Sequence, residues 1–82
     1  MENKKYYVTM TDKFLSDWGR AEGKKSKYVI ICDTMQQAIK ARDRAELREE
    51  MKYINILYEK PYYTPSRYVV EFVKIEDVPY FQ

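Results

Sequence analysis

The chain carries one thiol, Cys32, and no histidine. A thiol nucleophile needs a base or a positive neighbour to hold the thiolate. Cys32 ends the apolar run "YVIIC" and so reads as a small buried hydrophobe. Its place just before a helix start is the one feature that would lower its pKa. A single cysteine excludes an internal disulfide, and without imidazole the usual zinc-ligand sets cannot be assembled from one chain. Asp12 with Asp17, and Glu46 with Glu49 and Glu50, offer carboxylates at short spacing. General acid–base work needs a carboxyl in a dry pocket, and nothing around these residues builds one. Glu46 and Glu50 repel at i,i+4, which suits a face meeting water or a basic partner. "GRAEGKK" sets Gly19 and Gly23 ahead of Lys24 and Lys25. A phosphate loop needs glycines five apart opening into a helix. Here the spacing is four and a strand follows, so the pair reads as turn-forming. The expectation is a protein that is not an enzyme and uses no cofactor or metal.

The residues that stand out serve recognition. There are nine tyrosines, three phenylalanines and one tryptophan in 82 residues. Trp, Tyr, Met and Arg are enriched in interface cores and hot spots. "FLSDWGR" places Phe14, Leu15, Trp18 and Arg20 close together, followed by Lys24 and Lys25. "PYYTPSRY" adds Tyr62, Tyr63 and Arg67. These nine residues are the expected partner-binding set. Two readings stay open for Trp18, a plug closing one end of the core or an anchor for a partner. Tyr62 and Tyr63 likewise either form a contact surface or pack on their own prolines.

The elements that must position them follow from periodicity. "KYYVTMT" alternates, with Tyr6, Val8 and Met10 on one face and Tyr7, Thr9 and Thr11 on the other. The 12–27 segment follows, longer than a hairpin connection needs. "KYVIICD" is apolar on both faces, as in a central covered strand. "DTMQQ" offers Asp33 or Thr34 as a helix N-cap with a glutamine three residues on. The helix runs to about Glu49, with Met35, Ala38, Ile39, Arg42 and Ala45 as its inner stripe. "KYINILYEK" puts Ile54, Ile56 and Tyr58 on one side. "PYYTPS" breaks the pattern with prolines, which a sheet interior does not accept. "RYVVEFVKI" is read with Tyr68, Val70 and Phe72 inward. The tail "EDVPYFQ" is a docked turn or part of an interface.

The fold class is therefore α+β: a four-stranded, mainly antiparallel sheet in the order β-β-α-β-β, with one helix packed on one face. Residues 1–82 form a single domain. One helix covers one sheet face, so the other is expected to expose some of Tyr7, Tyr53, Leu57, Val69 and Val73. An apolar patch of that kind marks an interaction surface and predicts a homodimer. The net charge of +2 permits nucleic-acid binding without arguing for it. "MENKKYYVTM" has no apolar core of a signal peptide, and no run approaches the ~20 residues of a membrane span. The expected location is the cytoplasm, with no membrane association.

The blocks "KYYVTMTDKFLSDWGRAEGK", "YVIICDTMQQA", "MKYINI" and "PYYTPSRYVV" resemble a group of small accessory proteins encoded by bacteriophages and conjugative elements. The most specific block is "VTMTDKFLSDWGRAEGK", and the resemblance covers about residues 4–70. It implies a mobile-element gene product inside a bacterial cell that binds and modulates a host protein, with defence nuclease complexes among the candidates. The functional expectation is a non-enzymatic interaction protein. The alternative is a nucleic-acid-binding regulator, with tyrosines for stacking and Lys4, Lys5, Arg20, Lys24, Lys25, Lys27, Lys60 and Arg67 for the backbone.

Overall fold

A computed structural model describes residues 4–12, 24–49 and 51–82. The elements are β1 (Tyr6–Asp12), β2 (Lys25–Cys32), α1 (Met35–Glu46), β3 (Met51–Leu57) and β4 (Tyr68–Lys74), followed by 3-10 turns at Ile75–Asp77 and Pro79–Phe81. The architecture is the expected α+β one, a single four-stranded sheet with one helix. The strand order is β3-β1-β2-β4. β1 is antiparallel to β2 and β3, and β4 joins the other side of β2 in parallel.

Thr34 is the N-cap, and the capping box forms in full. The Gln37 N–H donates to Thr34 Oγ1 at 3.1 Å, and the Thr34 N–H donates to Gln37 Oε1 at 3.2 Å. Two donors of the first turn that lack intrahelical partners are thereby satisfied. The inner stripe of α1 is Ala38, Ala41 and Ala45. Ile39, expected inside, is 38% exposed, and Arg42 pairs with Asp43. Alanines bring the helix axis close to the sheet and leave the larger side chains to come from elsewhere. They come from Val8, Met10, Ile30, Met51 and the C-terminal tail, whose Ile75, Val78 and Phe81 are all buried in the same cluster. The tail is thus a docked turn.

The sheet face opposite α1 departs from expectation. Val29 is fully buried, yet it is not part of the helix-side cluster. Thr9 and Thr11 on the same face are buried too. Among the residues expected to be bare, Tyr53 is 76% exposed, whereas Tyr7 and Leu57 are half-buried. Val73 pairs with Ile30 and Val69 with Ser26, which puts both on the helix side. Tyr68, Val70 and Phe72 accordingly turn away from the helix, the reverse of the sequence reading. The reason is that β4 is apolar on both faces, so alternation leaves its orientation open. Its parallel register with β2 decides it.

Chain direction explains what covers this face. β3 and β4 lie at opposite edges of the sheet and run the same way, since each is parallel to β2. The segment 58–67 must therefore travel back along the strands and across the sheet. Three strand spacings of ~4.8 Å and a strand length of ~23 Å give a diagonal of roughly 27 Å. Ten extended residues reach at most ~35 Å, so the span is covered with room for the closing turn, in which the Arg67 and Tyr68 N–H groups both donate to the Thr64 carbonyl at 3.0 Å. Crossovers between parallel strands are right-handed. The helical crossover from β2 to β3 and this return crossing move in opposite directions, so the same hand puts them on opposite faces.

Candidate functional site

Lys27 and a Tyr63–Thr9 hydrogen bond tie the crossing to the sheet. Lys27 Nζ donates to Thr11 Oγ1 at 2.6 Å. It also lies 5.9 Å from the Tyr63 ring centroid and 5.6 Å from that of Tyr68. The two tyrosine rings are themselves 5.5 Å apart. Burial and the neighbouring Lys25 charge lower the Lys27 pKa. Burial raises that of Tyr63, opposed by a hydrogen bond with Thr9. The cation and the two ring centroids therefore form a nearly equilateral triangle, and desolvation strengthens the attraction of the ammonium to both rings. A second lysine, Lys60, stands 5.0 Å from the Phe72 centroid.

Between the crossing and β4 lies a groove of ≈ 410 Å³, lined by Lys60, Pro61, Tyr62, Tyr63, Pro65, Tyr68, Val70 and Phe72. Its lining is mostly apolar and aromatic, with Lys60 the only charged group among the described residues. Tyr62 is 82% exposed at its rim, while Tyr63 is half-buried. Arg67 is exposed, and its carbonyl accepts from the Lys25 N–H at 3.1 Å. The structure thus gathers Lys25, Tyr62, Tyr63 and Arg67 of the expected set around one crossing, with Lys24 beside them in the chain. Phe14, Leu15, Trp18 and Arg20 lie outside the described residues. Tyr68, the last aromatic of "PYYTPSRY", joins the gathered residues, whereas Lys27, Lys60 and Phe72 are not in the expected set. Lys27 and Lys60 stood in the sequence as generic basic residues, and only the crossing turns them toward rings.

Charge is unevenly divided between the faces. Lys25, Lys27, Lys52 and Lys74 register on the crossing side, whereas the strand acids Asp12 and Glu71 register on the helix side. Lys4 and Lys5 lie at the far end of β1, where Lys5 pairs with Asp33. That hydrogen bond raises the Lys5 pKa. Cys32 is buried, with its Sγ 3.9 Å from the Ile30 carbonyl. Burial, aided by the Asp33 charge, pushes its thiol up to about 11. A thiol so raised is almost wholly protonated near neutral pH, the reverse of what a nucleophile requires.

Among the described residues no helix is long and apolar enough to cross a membrane. Comparison with protein-family models, curated proteins and solved structures finds no match to the chain.

Proposed function

We propose that the chain is a non-enzymatic interaction protein that docks a partner protein on the groove between the 58–67 crossing and β4. The observation that carries this reading is Tyr62, a large aromatic side chain 82% exposed on the rim of an otherwise packed apolar groove. An exposed tyrosine near exposed Arg67 has the composition of a binding hot spot. The buried, protonated Cys32 supports the non-enzymatic part of the proposal. The resemblance to mobile-element accessory proteins supports a host protein in the bacterial cytoplasm as the partner. A homodimer had its motive in a bare sheet face, and the crossing weakens that motive.

Affinity capture from bacterial lysate with wild type and Tyr62→Ala tests the reading. The variant is expected to remain folded and to lose the partners that wild type retains. Retention of the same partners would overturn it.

The lysine-only charge of the crossing-side strands supports a second reading, nucleic-acid binding. Against it, the rings of Tyr63, Tyr68 and Phe72 already face lysine ammonium groups, so bases would have to displace these cations to stack. This reading predicts oligonucleotide affinity falling steeply with salt, read by fluorescence anisotropy. Salt-independent or absent binding removes it.

A further inference from the structure

The two edges of the sheet are not equivalent. β3 is interrupted by a register shift opposite β1 and holds Tyr53 at a φ of 55°. Bulges of this kind twist an edge and spoil it for pairing. β4 pairs with β2 without a shift from Tyr68 to Lys74. Its inward groups follow from one bond: the Arg67 carbonyl accepts from the Lys25 N–H. Strand alternation then turns Val69, Glu71 and Val73 toward β2, and the N–H and C=O groups of Val70 and Phe72 outward. The side chains of these same two residues line the groove. Among the described residues, an open backbone ladder therefore runs along the wall of an aromatic groove.

We infer that β4 is a strand-addition edge and that its occupant is an extended, acidic segment of a partner protein. This inference rests on the groove reading above and specifies its ligand. Backbone pairing with Val70 and Phe72 would hold the segment, and alternate side chains would enter the groove. The charge follows from Lys60 in the groove and Arg67 at the strand start, neither of which has an ion pair among the described residues. Glu59 is the acid next to Lys60, and it does not line the groove. A second copy fits less well. Two-fold pairing centred on the strand sets Glu71 against its own equivalent, and like charges directly opposite are destabilising.

The test uses the full chain and a labelled peptide of alternating Asp and Val, with an alternating Lys and Val peptide, an N-methylated acidic peptide and oligo-dT as comparators. Binding is followed by anisotropy, and the amides of Val70 and Phe72 by hydrogen exchange. The acidic peptide is expected to bind at least about tenfold more tightly than the others. It is also expected to slow exchange at both amides and to weaken about tenfold with Lys60→Glu. Val70→Pro removes an outward N–H that β2 does not use. It should abolish binding, and the N-methylated peptide tests the same point without altering the protein. Equal binding of the methylated peptide, or unprotected amides, overturns strand addition and leaves the groove reading standing. Equal binding of the basic peptide overturns the charge assignment. Tighter oligo-dT binding, or protection that rises with protein concentration alone, assigns the edge to nucleic acid or to a second copy and overturns the inference. No binding of any probe also overturns it, whereas the Tyr62→Ala capture decides the groove reading separately.

Discussion

Tyr53 is the residue whose conformation the sequence conceals. Its φ of 55° is left-handed, where a side chain beyond glycine crowds the backbone. The register places Tyr53 and Ile54 together opposite Met10, between the Thr9–Asn55 and Thr11–Lys52 pairs. The Asn55 side chain donates to the Tyr53 carbonyl at 3.2 Å and braces the bulge. Bulges with a left-handed residue ordinarily use glycine there. "KYINI" contains none and alternates as an unbroken strand would, so nothing in the sequence marks the bulge. Two substitutions read the strain. Tyr53→Gly is expected to preserve stability or raise it by up to about 1 kcal/mol, its unfolded-state entropy offsetting part of the relief. Tyr53→Val is expected to lower stability by about 1–2 kcal/mol, because a β-branched side chain fits this region worst. Urea melts of both variants should show this order, and the reverse order is incompatible with a left-handed residue at this position.

At the scale of elements, what periodicity carries was readable. β1 alternates cleanly, and its Val8 and Met10 are in the core as expected. The helix start was marked by the Thr34 and Gln37 spacing, which forms the capping box. The helix stripe was right at Met35, Ala38 and Ala45 but took Ile39 and Arg42 in place of Ala41, because alanine gives little hydrophobic contrast beside isoleucine. The groove was legible only in part. "PYYTPSRY" announced aromatic residues in a proline-bearing connection, but nothing local shows that the connection crosses the sheet, since that depends on β4 pairing with β2. The crossing separates the roles of two adjacent tyrosines. Tyr63 packs against Lys27 and Tyr68, whereas Tyr62 faces water. Tyr63→Ala should therefore destabilise the fold by about 2 kcal/mol through lost burial and a lost cation–π contact. Tyr62→Ala should change stability by less than about 0.5 kcal/mol. Thermal melts separate these outcomes, and equal losses for both would mean that the crossing is not held as described.

At the scale of the whole molecule, the helix-side layer is thin because three of its inward residues are alanines. A domain of this size buries only roughly two thirds of its unfolded surface, so any large side chain in that layer carries a large share of its stability. Phe81, next to the last residue of the sequence, is the largest fully buried side chain. It packs 6.0 Å from Tyr28 and 5.0 Å from Tyr80, centroid to centroid, with the Arg48 guanidinium 5.5 Å from its own ring. Gln82 adds a hydrogen bond from Nε2 to the Ile75 carbonyl at 2.9 Å, closing the tail on itself. The tail thus acts as a second cover beside α1, though "VPYFQ" shows only a proline and two aromatics with no period to place them. Phe81→Ala should lower stability by about 3 kcal/mol through the cavity it leaves, a large part of the ~5–15 kcal/mol typical of a domain. Tyr80→Ala, at a site 59% exposed, should have a much smaller effect. Because the tail contacts Tyr28 and α1 rather than the crossing, Phe81→Ala should also leave the groove face unchanged. Hydrogen exchange on the folded fraction should then show faster exchange in α1, with the amides by which β4 joins β2, those of Val69, Glu71 and Val73, unaffected. Loosening of all of these amides together would instead mean that the two faces of the sheet unfold as one unit.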